Sequence, residues 1–250
     1  AKIIISQAKD TFLKQFPYYK YCYFIPGGGT LSNRRAILSS LPYKPKRIDK
    51  DIYLDKIIIS SIEHKSINEV ISNELINRGY IIIRLPIEKT GIVNMDIFLK
   101  TIMEYKDTIA LISIMNVNNE TGMIQPIKEI IACTKQINSN IIVHSDICQG
   151  INVLYKQESN YPDLVSFSMY KLGGPHIGII LSHFELNDEY MGTDDTINIE
   201  LSGYIFGEYV DKFNNELIET QINNIKNKIK SDVTKLSNDL GIDIIDLSSF

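Results

Sequence analysis

Tryptophan is absent from the 250 residues, and cysteine occurs only three times. Cys22, Cys133 and Cys148 are an odd number at irregular spacing in a chain large enough to bury its own core. That pattern speaks against a disulfide-stapled secreted fold and for a reducing compartment, by default the cytoplasm. Long apolar runs are missing too. A stretch such as Ile109 to Met115 is about a third of what a membrane-spanning helix needs, and the N-terminus lacks a signal-peptide layout, so no membrane association is expected. Nor is there an excess of one charge: charged residues make up 22%, the net charge is −4, and the lysines are spread along the chain. Without a basic cluster, no nucleic-acid partner is expected. No Gly-x-Gly-x-x-Gly occurs, and the glycines at 27–29 are not followed by the Gly-Lys-Ser/Thr of a Walker loop.

What is there is a 44% apolar composition, ample for a globular core. Residues 1–16 have helical spacing, and Tyr18 to Ile25 reads as a β-run that feeds the turn Pro26-Gly27-Gly28-Gly29. Ser32 to Ser39 is predicted as the helix after that turn. Strands follow at Lys56 to Ile62, Tyr80 to Leu85, Thr108 to Met115, Ile141 to His144, Leu164 to Ser168 and His176 to Ser182. Helices are predicted at Ile67 to Arg78, Met95 to Glu104 and Ile124 to Ile137. This alternation predicts an α/β fold: a mostly parallel sheet with helices on both faces, whose ligands sit beyond the carboxyl ends of the strands. Asn215 to Leu240 reads as a long amphipathic helix, and Gly241 to Ile245 as a strand just starting, which suggests the start of a small C-terminal domain.

Candidate chemical residues fall at strand ends. A glycine turn with Thr30 at a helix start offers free backbone N–H groups, a hydroxyl and a positive helix end, which suit a phosphate; a plain strand-to-helix turn has the same local sequence. Asp146 follows the apolar run Ile141 to Val143, where a buried carboxylate needs a partner such as a protonated ring nitrogen, unless it caps the next helix. His144, Asp146 and Cys148 alternate as metal ligands might, but a strand would aim them to one face without an outside ligand, and no metal is expected. Lys171 is delivered by an apolar strand to the turn Gly173-Gly174-Pro175. Held in a partly desolvated pocket its amine would be a nucleophile, whereas most lysines are surface charges.

Five segments in chain order carry a resemblance: Phe24 to Asn33, Ser61 to Lys65, Ser113 to Gly122, His144 to Gly150 and Asp163 to Lys171. Together they resemble the cysteine desulfurases (NifS-like) of the class V aminotransferase group, which share the fold-type I pyridoxal-phosphate architecture. The resemblance runs from near residue 1 to about residue 210. It implies pyridoxal 5'-phosphate as cofactor, with Lys171 as the lysine that carries it and His64 stacked on its ring. Asp146 would partner the pyridine nitrogen, Gln149 would donate to the phenolic oxygen and Asn119 would lie beside the cofactor. Gly29, Thr30 and Ser168 would hold the phosphate, with Tyr170 at the position where the family usually has His. Thr193 would reach a neighbouring subunit's phosphate, which implies a homodimer. The implied reaction releases sulfur and alanine from cysteine, with a possible sulfur-acceptor protein.

Departures accompany the matches. Met169 stands where Gly or Ala is usual, Leu31 replaces a Glu, and the stretch before Thr193 is shortened to Glu189-Tyr190-Met191. Nothing in the chain matches the family's catalytic-cysteine loop or its carboxylate-binding arginine. The expected organisation is therefore a pyridoxal-phosphate-binding large domain over residues 1–214, lacking the family's first segment, and over 215–250 a connecting helix and the beginning of a truncated small domain. The alternatives are another reaction of the same group, such as selenocysteine lyase or aminotransfer, and a non-catalytic protein that keeps the fold as a scaffold.

Overall fold

A computed structural model describes residues 1–50, 52–155, 159–187, 194–213 and 216–241. Its centre is a seven-stranded sheet. In chain order the strands are β1 (Tyr21–Pro26), β4 (Lys56–Ser60), β5 (Ile81–Leu85), β6 (Ile109–Ser113), β7 (Ile142–Asp146), β8 (Leu164–Ser168) and β9 (Ile177–Ser182), while β2 (Lys46–Asp49) and β3 (Ile52–Leu54) form a separate hairpin. The spatial order is β1-β9-β8-β7-β6-β4-β5. Strands β5, β4, β6, β7 and β8 run parallel, and β9 is antiparallel to both β8 and β1. Every strand but β9 therefore ends on the same edge.

Helices α1 (Lys2–Gln15), α2 (Gly28–Ser40), α3 (Lys65–Val70), α4 (Met95–Tyr105), α5 (Ile127–Ile137), α6 (Ile151–Tyr155), α7 (Thr196–Phe213) and α8 (Glu216–Leu240) flank and extend this sheet. The strands are apolar on both sides because both sides are covered. Ile57, Ile59 and Leu111 pack with Ile37 of α2 and Ile67 and Val70 of α3. The alternate residues Ile58, Ile112 and Val143 pack with Phe98 and Ile102 of α4 and Ile130 and Ile131 of α5. On that second face Val165, Phe167, Ile179 and Leu181 join Phe12 and Phe16 of α1 and Phe206 and Val210 of α7. The Phe12 and Phe206 rings stack at 4.3 Å. Under α2 the pattern changes, since Ser113, His144, Asp146 and Ser166 point there in place of aliphatics, all less than 5% exposed.

Several boundaries differ from the sequence expectation. Helix α2 begins at Gly28, not Ser32, because Gly27 takes a left-handed φ of 100° and turns the chain straight into the helix. Helix α5 begins at Ile127, since Ile124 bridges to Val117 and Pro126 precedes the first turn. The segment after His64 is α3 followed by a π-turn over Ile71–Leu75. The strand expected from Gly241 lies outside the described residues beyond Gly241 itself. Among the described residues no helix is long and apolar enough to cross a membrane.

Candidate active site

At the shared edge the ends of β6, β7 and β8 meet the starts of α2 and α3 around a cleft of about 270 Å³. Gly29, Thr30, His64, Asn119, Asp146, Gln149, Ser168, Tyr170 and Lys171 all line it, so every predicted site residue within the described chain is brought to one place. Thr193 lies outside the described residues.

Each wall has a local cause. Strand β7 ends at Asp146, 4% exposed, whose Oδ1 accepts the Cys148 N–H at 2.9 Å and whose Oδ2 accepts from Asn33 Nδ2 at 2.6 Å. Strand β8 ends at Ser168 and runs into a single 3-10 turn, Met169–Leu172, stopped by Gly173 at φ 78°. That turn lifts Lys171 to the rim, where its side chain is exposed. The partly desolvated setting expected for this lysine is thus not met: a one-turn helix at a strand end leaves it facing the open cleft. Tyr170 beside it is 63% exposed.

The glycine turn is built for close approach. A Cβ on Gly28 would stand 2.8 Å from the His176 ring and 3.2 Å from Ser168 Oγ, and one on Gly29 would stand 3.0 Å from Cys148 Sγ. Only glycine lets these groups close on the first turn of α2, whose free N–H groups then face the cleft with Thr30. His64 caps α3, its Nδ1 accepting the Ser66 N–H at 3.2 Å. Asn118 Oδ1 accepts the N–H groups of Glu120 and Thr121 at 3.0 and 2.9 Å, forming the turn that holds Asn119 at the rim.

Behind His64 stands Glu63, 6% exposed. Its Oε1 accepts from Ser60 Oγ and from the Met115 N–H, tying the end of β4 to the end of β6. Burial pushes its carboxyl up to about 8, and Oε2 has no partner. Burial also takes His144 down to about 3. Both His144 nitrogens contact serine hydroxyls, Ser113 and Ser166, at 2.8 Å, which leaves neither for a metal. Among the described residues no three His, Cys, Asp or Glu side chains cluster to hold one.

Asn33, Cys148 and His176 are among the lining residues to which the sequence reading gives no role in the site. Asn33 sits one turn into the helix that the glycines start, the position from which a side chain looks back under the turn. His176 follows Gly173-Gly174-Pro175 on the return into β9, so its place opposite Gly28 needed the strand order.

Residues 17–215 match the family described as Aminotransferase class-V. The chain belongs to that family. Among its relatives, a NifS/IcsS protein homolog of Lactobacillus delbrueckii subsp. bulgaricus is 39% identical over 160 residues, 63% of this chain and 39% of that protein. A cysteine desulfurase of Sinorhizobium fredii is 31% identical over 149 residues, 59% of this chain and 35% of the enzyme. The matched part is thus well under half the length of either relative. A solved NifS-like protein superposes with a TM-score of 0.74 at 22% identity, covering 95% of this chain and 65% of its own, which establishes the shared fold.

Class V aminotransferases and cysteine desulfurases depend on pyridoxal phosphate, and the cleft suits that group on its own geometry. A helix N-terminus cleared of Cβ atoms matches a phosphate, and a buried carboxylate at the cleft floor matches a protonated ring nitrogen. A lysine on the rim matches an aldehyde carbon.

Proposed function

We propose that this chain forms the cofactor-binding part of a pyridoxal-phosphate-dependent cysteine desulfurase. The observation that carries the reading is the convergence of Lys171, Asp146 and the α2 N-terminus on one cleft. Lys171 would hold the cofactor covalently, and Asp146 would keep the pyridine nitrogen protonated. Gly29, Thr30, Ser168 and Tyr170 would hold the phosphate, joined by Thr193 of a second copy. Gln149 would donate to the phenolic oxygen, while His64 would cover the ring face and Asn119 would lie beside it. When bound, the cofactor supplies an electron sink for charge that develops at the substrate's α-carbon. Cysteine is the proposed substrate and alanine the product, the sulfur passing to a nucleophilic cysteine outside these 250 residues and then to an acceptor protein. Cys22 and Cys133 are remote from the cleft, and burial holds the Cys148 thiol well above its ordinary value, which makes it a poor nucleophile.

Exposed Ile197, Leu201 and Tyr204 on α7 support a homodimer, since they leave apolar surface for a second copy. Exposed Ile225, Ile229, Leu236 and Leu240 on α8 support the division into a large domain over 1–214 and a connection toward a small domain over 215–250. Three free cysteines fit a cytoplasmic setting. The test is to supply the full-length protein with pyridoxal phosphate, cysteine and an excess of a thiol reductant, which reduces the transferred sulfur to sulfide, and to measure alanine and sulfide. Equal release of both is expected. Cofactor uptake with neither product would overturn the desulfurase reading and favour another reaction of the same group, whereas no uptake would favour the scaffold role that Leu31 and Tyr170 suggest.

A further inference from the structure

Beneath the cleft Asp146 and His64 are joined by a line of polar side chains to which the cofactor reading assigns no task. Ser113 Oγ lies 2.8 Å from His144 Nδ1, His144 Nε2 lies 2.8 Å from Ser166 Oγ, and the Ser166 hydroxyl donates to Asn33 Oδ1. Asn33 Nδ2 donates twice, to Asp146 Oδ2 at 2.6 Å and to Ser66 Oγ at 2.8 Å. Ser66 Oγ in turn is 2.8 Å from His64 Nδ1. Ser113, His144, Ser166, Asn33 and Ser66 are each 2% exposed or less, so water does not compete for these bonds.

The donor and acceptor inventory gives the line a single direction. An amide nitrogen only donates and an amide oxygen only accepts. Turning Asn33 over would press its oxygen against the Asp146 carboxylate, so that carboxylate sets the orientation. Both Nδ2 hydrogens are then committed, and Oδ1 takes the one proton of Ser166. Ser166 can therefore only accept from His144 Nε2–H. The neutral His144 ring accepts the Ser113 proton on Nδ1. At the other end Ser66 accepts from Asn33, which leaves its hydrogen to face His64 Nδ1.

We propose that Asn33 is a positioning residue whose one amide orients both the Asp146 carboxylate and, through Ser66, the His64 imidazole, so that His64 presents Nε2–H to the cleft. The geometry stands without a ligand; only what Asp146 and His64 would meet rests on the cofactor reading. The two groups that would contact the cofactor at its ring nitrogen and its ring face thus share one anchor.

The test uses the cofactor-free protein, in which nitrogen NMR of labelled histidine reads the tautomer directly at alkaline pH, where imidazole is neutral. Wild type is expected to carry the His64 proton on Nε2. Asn33→Asp keeps the shape but turns a donor into an acceptor, drawing the Ser66 hydrogen away and leaving a lone pair toward Nδ1. A shift of the His64 proton to Nδ1, or a mixture, is expected in the folded variant. An unchanged tautomer overturns the proposal, because the Ser66 backbone N–H would then suffice alone. Should Asn33→Asp not fold, Ser66→Ala decides: a tautomer mixture supports the relay and an unchanged ring overturns it. Titration with pyridoxal phosphate adds a separate readout, with binding about ten- to a hundredfold weaker in Asn33→Asp as a charge-assisted bond is lost. If wild type itself takes up no cofactor, the functional reading fails while the His64 tautomer still decides the role of Asn33.

Discussion

The floor of the cleft and its rim are built on opposite terms. On the floor, Asp146, Asn33, Ser166, His144 and Ser66 are buried, and each is held by partners within the chain. On the rim, Thr30, His64, Asn119, Gln149, Tyr170 and Lys171 are exposed and turn toward the open volume. The floor is shaped before any ligand arrives, because a buried polar group without a partner is costly; the rim keeps its donors in water until something displaces it. A change on the floor should therefore register in stability, and a change on the rim in binding.

Substitutions can break or sharpen that division. The largest expected effect is on the rim: Lys171→Ala should abolish covalent cofactor attachment, read as loss of the visible absorption band that pyridoxal phosphate gives with wild type. Its unfolding free energy should stay within about 0.5 kcal/mol of wild type. A similar band in the variant would remove Lys171 from its assigned role.

Next comes the floor. A Cβ at Gly178 in β9 would stand 2.4 Å from the Gly28 carbonyl oxygen and 2.8 Å from Ser32 Cβ. Gly178→Ala should push the start of α2 off the sheet and cost about 3 kcal/mol by denaturant titration, with cofactor affinity falling as a consequence. An unaltered melt would mean that α2 tolerates the shift.

Glu63 offers a pH signature. Its carboxyl is raised from 4.5 to about 8, so between these values the folded chain holds a proton that the unfolded chain has released. Stability therefore falls as pH rises through that window and levels off above it. Glu63→Gln should flatten the fall and gain on the order of 2 kcal/mol at pH 8, with little change at pH 4. Parallel stability curves for the two proteins would contradict the assignment. The smallest effect belongs to Tyr170→His, a rim change expected to tighten pyridoxal phosphate by roughly tenfold or less and to leave the melt unmoved, measured by cofactor titration.

The strands and the chemistry at their ends were the readily legible part. Continuous apolar runs such as Lys56 to Ile62 and Thr108 to Met115 announce strands covered on both faces, and the residues just past them supplied nearly the whole lining of the cleft. The sequence reading assigns no element to α7, whose Gly203 and Gly207 are poor helix formers. In the fold they are contacts: a Cβ on Gly203 would come within 3.0 Å of Ala8 Cα in α1. Close packing outweighs poor propensity there. In the hairpin, β2 is charged and exposed, and β3, the three residues Ile52–Leu54, is too short to show an alternation. A strand pattern also carries no direction, so the reversal of β9 had no signal. The task of Asn33 was hidden because its partners Ser66, Asp146 and Ser166 come from three separate stretches of chain.

The sheet also sets an order of events during synthesis. Tyr21 pairs with Ser182, and α1 packs against α7, so β1 has no strand partner, and α1 only part of its packing, until the chain beyond residue 177 has been made. The stack of Phe12 and Phe16 on Phe206 forms only when that part of the chain has been made. Contacts so far apart in sequence close slowly, which makes the docking of α1 and β1 a late event and their apolar faces ones that a growing chain must keep from aggregating. The Ser168–Gly178 pairing lies in the same late region, so the α2 end of the cleft is completed together with the closing of the sheet.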